Sequence, residues 1–291
     1  MTSPLLSQGS HSRSNVLDSS EVAAQVAKGG TLAFYFQTLL KDPRKILLGV
    51  AETLSEVCRF VIWPRFAVGL NGLQRAHLIL KWGMIEVRVP GATTLLETTW
   101  LAYGAARSTS TAKSWVEVGC FKGLSTVRLS LLCSAWDRHL YAFDTFAGLP
   151  GSDSIYAAVD DGVSYHFKAG SYAGSEEEVT SNVDRHGDPA CVTLIKGDVE
   201  HTLHENTLGP ISFAFLDVDL VESYRACFSG LARSIGAGTV IAIHEACYAP
   251  IRELVGDAAF WEANDLALPR TEYVAERYGV RSCRNMALLF W

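Results

Sequence analysis

The chain predicts an α/β fold, a doubly wound and mostly parallel sheet preceded by a helical extension. Three observations predict it. After Thr109, short apolar runs alternate with helix-like stretches, and most runs end in a polar or special residue. The first run, moreover, closes on two glycines four apart, in VEVGCFKGLS at 116–125. Such alternation implies βαβ units, whose crossovers place helices on both faces of one sheet.

The bulk composition is compatible with this. The 291 residues are 48% hydrophobic and 19% charged, enough for one large domain or a domain with an extension. A net charge of −6 gives no electrostatic basis for nucleic acid as a partner. Seven cysteines (Cys58, Cys120, Cys133, Cys191, Cys227, Cys247 and Cys283) are scattered singly, without a CxxC pair. That pattern suits a reduced, cytoplasmic protein better than a disulfide framework. The opening MTSPLLSQGSHSRSNVLDSS is Ser-rich, lacks the apolar centre of a signal peptide, and predicts a disordered tail over 1–20. No run reaches the roughly 18 uninterrupted apolar residues of a membrane span. The richest stretch, 46–70, is broken by Glu52, Glu56, Arg59 and Arg65.

Residues 21–108 read as the helical extension, suited to packing between the subunits of a homo-oligomer. Val22 to Lys81 is helical in pattern, with Pro43 and Pro64 as breaks and 69–72 loosened by glycine. MIEVRVPG (84–91) reads as a short strand stopped at Pro90. TTLLETTWLAYGAA (93–106) reads as a helix with a stripe of Leu95, Leu96, Trp100 and Leu101.

Residues 109–291 form the second region. SWVEVG (114–119), HLYAFD (139–144), CVTLIKG (191–197), ISFAFLDVD (211–219) and GTVIAIHE (238–245) read as five strands. Helices fall over 123–136, over 223–236 and near 251–255. The end, from Thr271, reads as two more strands joined by a turn at Gly279, which brings the sheet to seven. The strand ends carry Gly119, Asp144, Asp198, Asp217 and His244–Glu245. Singly these are turn formers or caps; along one edge they read as the lining of one cleft, where doubly wound sheets bind ligands.

The glycine spacing narrows the ligand. A P-loop needs its lysine after the second glycine, and Lys122 precedes it. A nicotinamide fingerprint needs G-x-G-x-x-G, and position 121 is Phe. What stands here is E-x-G-x-x-x-G, from Glu117 through Gly119 to Gly123. Set against a bare tight turn, this spacing suits S-adenosylmethionine, whose amino-acid end and ribose need a close backbone approach. Ser125 closes the same stretch. Asp144, 25 residues beyond Gly119, is placed for the ribose hydroxyls, and Asp198 for the adenine edge.

VEVGCFKGLS, FDTFAGLP (143–150), KGDVEHTL (196–203) and FLDVDLVESY (215–224) recur together in an order that resembles the macrocin O-methyltransferase family. The resemblance covers about residues 113–255. It implies a class I, Rossmann-like S-adenosylmethionine-dependent methyltransferase that acts on sugar hydroxyls of small natural products. It also implies a divalent metal with Asp217 as ligand. The family places two adjacent acidic residues where this chain has His244–Glu245. Three readings follow: a retained but altered metal site of Asp217, His244 and Glu245; His244 as general base; or a cleft that binds without methylating, as in a cofactor- or metabolite-binding partner subunit.

The 151–179 stretch is long, Gly/Ser-rich and aromatic, and reads as a lid without regular structure. In the resembling family this region supplies a histidine base. His166 is its only histidine, and the bland alternative is an exposed loop residue. His201 and His204 share a helix face without a third ligand and read as surface or packing residues. Glu176–Glu178 read as solvated charges after an N-cap at Ser175.

Overall fold

The computed structural model describes residues 16–24, 43–63, 69–151, 153–160, 162–206 and 208–291. Strand β1 (Val16–Asp18) and a helix α1, described over 19–24, come first. Helices α2 (Pro43–Ile62), α3 (Gly72–Arg88) and α4 (Leu95–Ala106) precede the first strand of the main sheet. Then follow β2 (Ser114–Val118), α5 (Leu124–Trp136), β3 (His139–Asp144), β4 (Ser154–Ala157), β5 (Ser164–Phe167) and α6 (Glu176–His186). Next come β6 (Val192–Lys196), α7 (Val199–Glu205), β7 (Ile211–Leu216), α8 (Val221–Leu231) and β8 (Val240–Ile243). The chain finishes with α9 (Ala249–Gly256), α10 (Ala258–Ala263), β9 (Arg270–Tyr273), α11 (Val274–Tyr278) and β10 (Ala287–Phe290).

The main sheet has seven strands in the order β6-β3-β2-β7-β8-β10-β9, with β10 antiparallel to both of its neighbours, β8 and β9. The expected mixed α/β architecture is therefore present. Burial alternates along the central strands. Trp115, Phe213, Phe215 and Ala242 pack beneath the N-terminal helices. Val116, Ala214, Leu216 and Ile241 pack on the other face, with α8 and α9. A strand buried on both faces needs apolar residues at every position, which is how ISFAFL reads. The order turns at β2, which lies between β3 and β7, so the winding of the chain reverses beside Gly119.

Several expectations differ from the structure. MIEVRVPG is not a strand: helix α3 runs to Arg88 and Val89 caps it. Leu78, Trp82, Ile85 and Val89 are all buried, so the helical spacing outweighed the β-like alternation of 84–88. Asn71 and Gln74 close a capping box at the start of this helix. Pro64 lies outside the described residues. Val16–Asp18, inside the stretch expected to be disordered, pairs in parallel with β5. The 151–179 stretch is also more regular than expected, since β4 and β5 form an antiparallel hairpin that completes a small three-stranded sheet with β1. Between the last two strands stands not a simple turn but α11, ended by Gly279 with φ 76°, and a 3-10 turn at Arg281–Cys283. Of the two readings for His201 and His204, surface or packing, the structure has the first: both are exposed on α7.

One arginine ties α3 and the start of α4 to α5. Arg128 of α5 is fully buried and donates to Glu86 Oε2 at 2.8 Å, Thr93 O at 2.9 Å, and Trp82 O and Thr98 Oγ1 at 3.1 Å each. Among the described residues, no helix is long and apolar enough to cross a membrane.

Candidate functional site

The strand ends converge on one cavity of about 1080 Å³. Its floor is the carboxyl edge of β2, β3, β7 and β8, bringing Gly119, Asp144, Asp217, His244 and Glu245 together; Asp198 and Ser125 join from the starts of α7 and α5. Its walls come from the small sheet and from the N-terminal helices, including Tyr156, Tyr165, Val50 and Leu54.

The glycine loop explains itself locally. Gly119 has φ 91°, and a Cβ there would stand 2.0 Å from the carbonyl oxygen of Asp217. Only glycine fits both the backbone angle and the space. Asp144 then holds the loop: its Oδ2 accepts from the backbone N–H of Cys120 at 2.6 Å and of Phe121 at 3.1 Å. Its Oδ1 accepts from Phe146 N at 2.7 Å. The carboxylate expected at a ribose is thus already ordered by backbone donors, with lone pairs left for a ligand. Gly123 (φ 86°) precedes α5 without any side-chain cap, so the first N–H groups of that helix stay available at Leu124 and Ser125 on the cavity wall.

Glu117 behaves differently. It is fully buried, does not line the cavity, and neither carboxylate oxygen has a hydrogen-bond partner among the described residues. Burial pushes its pKa up to about 8 against the pull of the nearby Ser125 and Thr126 hydroxyls, with the charges of Asp217 and Asp144 adding to the rise. Asp198 caps α7 by accepting from Glu200 N at 3.0 Å while lining the cavity.

At the ends of β7 and β8 sits an acidic cluster around one imidazole. Asp217 Oδ1 lies 3.4 Å from His244 Nδ1, and Glu245 Oε1 bonds to the same nitrogen. Nε2 of His244 faces Glu97 Oε1 at 3.2 Å. Tyr224 donates toward Glu245 Oε2 at 2.9 Å, within reach also of two main-chain carbonyls. Burial alone would lower the pKa of His244. The carboxylates of Glu245, Asp217 and Glu97 outweigh it and hold the imidazole well above its usual range. Burial pushes Asp217 up to about 7 against the pull of His244, with Glu245 and Glu97 adding to the rise. Asp219, also on the cavity wall and at φ 60°, is pushed up by burial and by Glu245 and Asp217.

Asp217, His244 and Glu245 each offer an atom within 4.8 Å of the others. Two carboxylates and an imidazole at that spacing fit a divalent ion. His166 stands apart from this group. It does not line the cavity, and its Nε2 faces Asp153 Oδ2 at 3.2 Å.

Sequence reasoning missed three members of the site. Glu97 comes from the extension; its signal was the T-x-x-E spacing from Thr94, a capping box that the structure confirms. Asp219 and Tyr224 lie within FLDVDLVESY, but nothing in the letters turns their side chains toward Glu245.

Comparison with known proteins agrees with this geometry. Residues 116–246 match the family model Methyltransf_24, described as a methyltransferase domain. The matched stretch runs from β2 to just past β8, the part of the chain that supplies the floor of the cavity. The chain is similar in fold to the O-methyltransferase NovP, at 18% identity and a TM-score of 0.50, over 69% of this chain and 83% of that one. It is equally similar to CalS11, a calicheamicin methyltransferase, at 18% identity and a TM-score of 0.50, over 81% and 92%. At that identity the likeness is one of fold. These matches do not single out the macrocin family, and no curated protein matches the chain.

Proposed function

We propose that the protein is an S-adenosylmethionine-dependent O-methyltransferase that acts on a hydroxyl of a small molecule, a sugar-bearing natural-product intermediate by class. The observation that carries this reading is the shared cavity: the glycine loop with its bare helix start opens into the same space as the Asp217–His244–Glu245 cluster. Bound S-adenosylmethionine supplies a methyl already activated on a sulfonium, for in-line transfer to the acceptor oxygen with S-adenosylhomocysteine as the leaving product.

The chain's residues supply the rest. The N–H groups at Leu124 and Ser125 suit the cofactor's carboxylate, and Gly119 and Gly123 permit its close approach. Asp144 suits the ribose hydroxyls and Asp198 the adenine edge. Glu117 is buried behind the loop and does not touch the ligand in this reading. Asp217, His244 and Glu245 would hold a divalent ion, which would lower the pKa of a coordinated hydroxyl. Asp219, on the cavity wall, would take the acceptor's proton in its carboxylate form, since both nitrogens of His244 are engaged by carboxylates; His166 would serve that role only if the hairpin moves. Catalysis is then mostly alignment and electrostatics.

The cavity walls favour an acceptor with an apolar body, since Leu17, Val50, Leu54, Leu149 and Tyr156 face it. Seven free cysteines suit a reducing, cytoplasmic setting. Helix α3 leaves Leu73, Leu80, Met84 and Val87 exposed, which favours a homo-oligomer that light scattering would detect. Calorimetric titration with S-adenosylmethionine, followed by incubation with hydroxylated acceptors, tests the main reading. Saturable one-to-one binding and a methyl ether product support it. Binding without any product favours the non-methylating reading, which draws on the tight engagement of His244 by three carboxylates.

A further inference from the structure

We infer that Glu97 is a positioning residue that fixes His244 with Nδ1 toward Asp217 and Glu245, and so selects later first-row divalent ions over Mg²⁺. The inference rests on the metal-holding part of the reading above. Glu97 is buried, and its two oxygens are committed to different partners. Oε2 accepts from Thr94 N at 2.8 Å and from Thr94 Oγ1 at 2.9 Å. Oε1 is left for His244 Nε2 at 3.2 Å. Because Thr94 belongs to a capping box, the start of helix α4 holds the glutamate rigidly, and His244 is 147 residues further along the chain.

An acceptor at Nε2 keeps a proton on that nitrogen. The Nδ1 proton, which Glu245 Oε1 accepts and which points toward Asp217 Oδ1 at 3.4 Å, is then the one an incoming ion displaces, leaving Nδ1 as the ligating atom. Glu245 is in turn held by the Tyr224 hydroxyl at 2.9 Å. An outer carboxylate that orients a ligating histidine is worth about 10–100-fold in metal affinity. A nitrogen among the ligands favours Mn²⁺, Co²⁺ or Zn²⁺, whereas Mg²⁺ prefers oxygen alone.

Glutamine cannot replace Glu97. It has one acceptor oxygen, so it must either abandon Thr94 or turn an N–H₂ toward His244 and force the proton to Nδ1. The test uses the full chain, titrated calorimetrically with MgCl₂, MnCl₂ and CoCl₂, and followed by visible absorption for cobalt. The ¹⁵N spectrum of histidine-labelled, zinc-loaded protein reports the His244 tautomer. We expect cobalt to bind more tightly than magnesium, and Glu97→Gln to weaken cobalt by about 10–100-fold while losing the Nε2–H tautomer. His244→Asp, made with Glu97 intact, should shift the cobalt spectrum and raise the preference for magnesium. Unchanged cobalt affinity and tautomer in Glu97→Gln overturn the inference. So does a cobalt spectrum indifferent to His244→Asp, or a doubly protonated His244 in the zinc-loaded protein. If the wild type binds S-adenosylmethionine but none of these ions, this inference falls and the methyl-transfer reading stands. If it binds neither, both fall.

Discussion

A Cβ on Gly119 would stand 2.0 Å from the carbonyl oxygen of Asp217. The two residues end neighbouring strands, β2 and β7, with Val118 in register with Leu216 just before them. The glycine loop and the acidic cluster therefore meet at this contact. Gly119→Ala should separate the strand ends and abolish S-adenosylmethionine binding in calorimetry. Gly151→Ala is the comparison, because its φ of 75° is also left-handed but nothing lies within 4 Å of the added carbon. It should cost only about 1–2 kcal/mol by denaturant unfolding. Equal losses in the two variants would count against the contact.

Arg128→Met should destabilise the fold by about 3–5 kcal/mol in urea unfolding, because it leaves Glu86 buried without its partner. Adding Glu86→Leu should recover much of the loss. If the double variant is as unstable as the single one, the ion pair is not what fastens the extension.

Glu117 predicts a pH dependence of one sign. Its pKa is about 8 in the fold, against an ordinary 4.5, so the folded state binds the extra proton. Stability of the ligand-free protein should fall as pH rises from about 4.5 to about 8 and then level. A tenfold difference in proton affinity between the folded and unfolded chain corresponds to about 1.4 kcal/mol, so the total reaches several kcal/mol. Glu117→Gln should remove this decline, and a thermal melt series across that range would show it. A parallel decline in both proteins would refute the role of this carboxyl.

Glu272 predicts the opposite sign at acid pH. Burial alone would raise its pKa. Arg107, Tyr278 and Arg270 overcome that and hold it at about 2. Tyr278 donates to it at 2.6 Å, and Arg107 reaches it through both guanidinium nitrogens. The stability this confers is full above about pH 4.5 and is lost as pH falls toward 2. Glu272→Gln should be less stable than wild type at pH 7, with a flatter profile between pH 4.5 and 2. An unchanged acid limb in the variant would remove Glu272 from the account.

Asp217→Asn should leave the sheet intact while weakening divalent-ion binding and slowing methyl transfer to a hydroxyl acceptor. Wild-type rate and ion affinity in this variant would remove the metal from the mechanism.

By itself, the sequence determined the strands of the main sheet and the line of residues at their ends. Alternating burial on Trp115–Val116 and Phe213–Ala214 is a period-two pattern, and letters carry it. Gly119, Asp144, Asp217 and His244–Glu245 were legible for the same reason, as each directly follows or closes an apolar run. Tertiary structure alone decided the rest. MIEVR satisfies both the helical and the extended periodicity, and packing of Trp82 and Ile85 chose the helix. Whether Val16–Asp18 is ordered depended on a partner strand about 150 residues away. Glu97 reads locally as a helix cap, and only the packing of α4 against β7 and β8 carries its second oxygen to His244. Periodicity is a property of neighbours in sequence, whereas the surroundings of a buried carboxylate are set by residues that only the fold brings near.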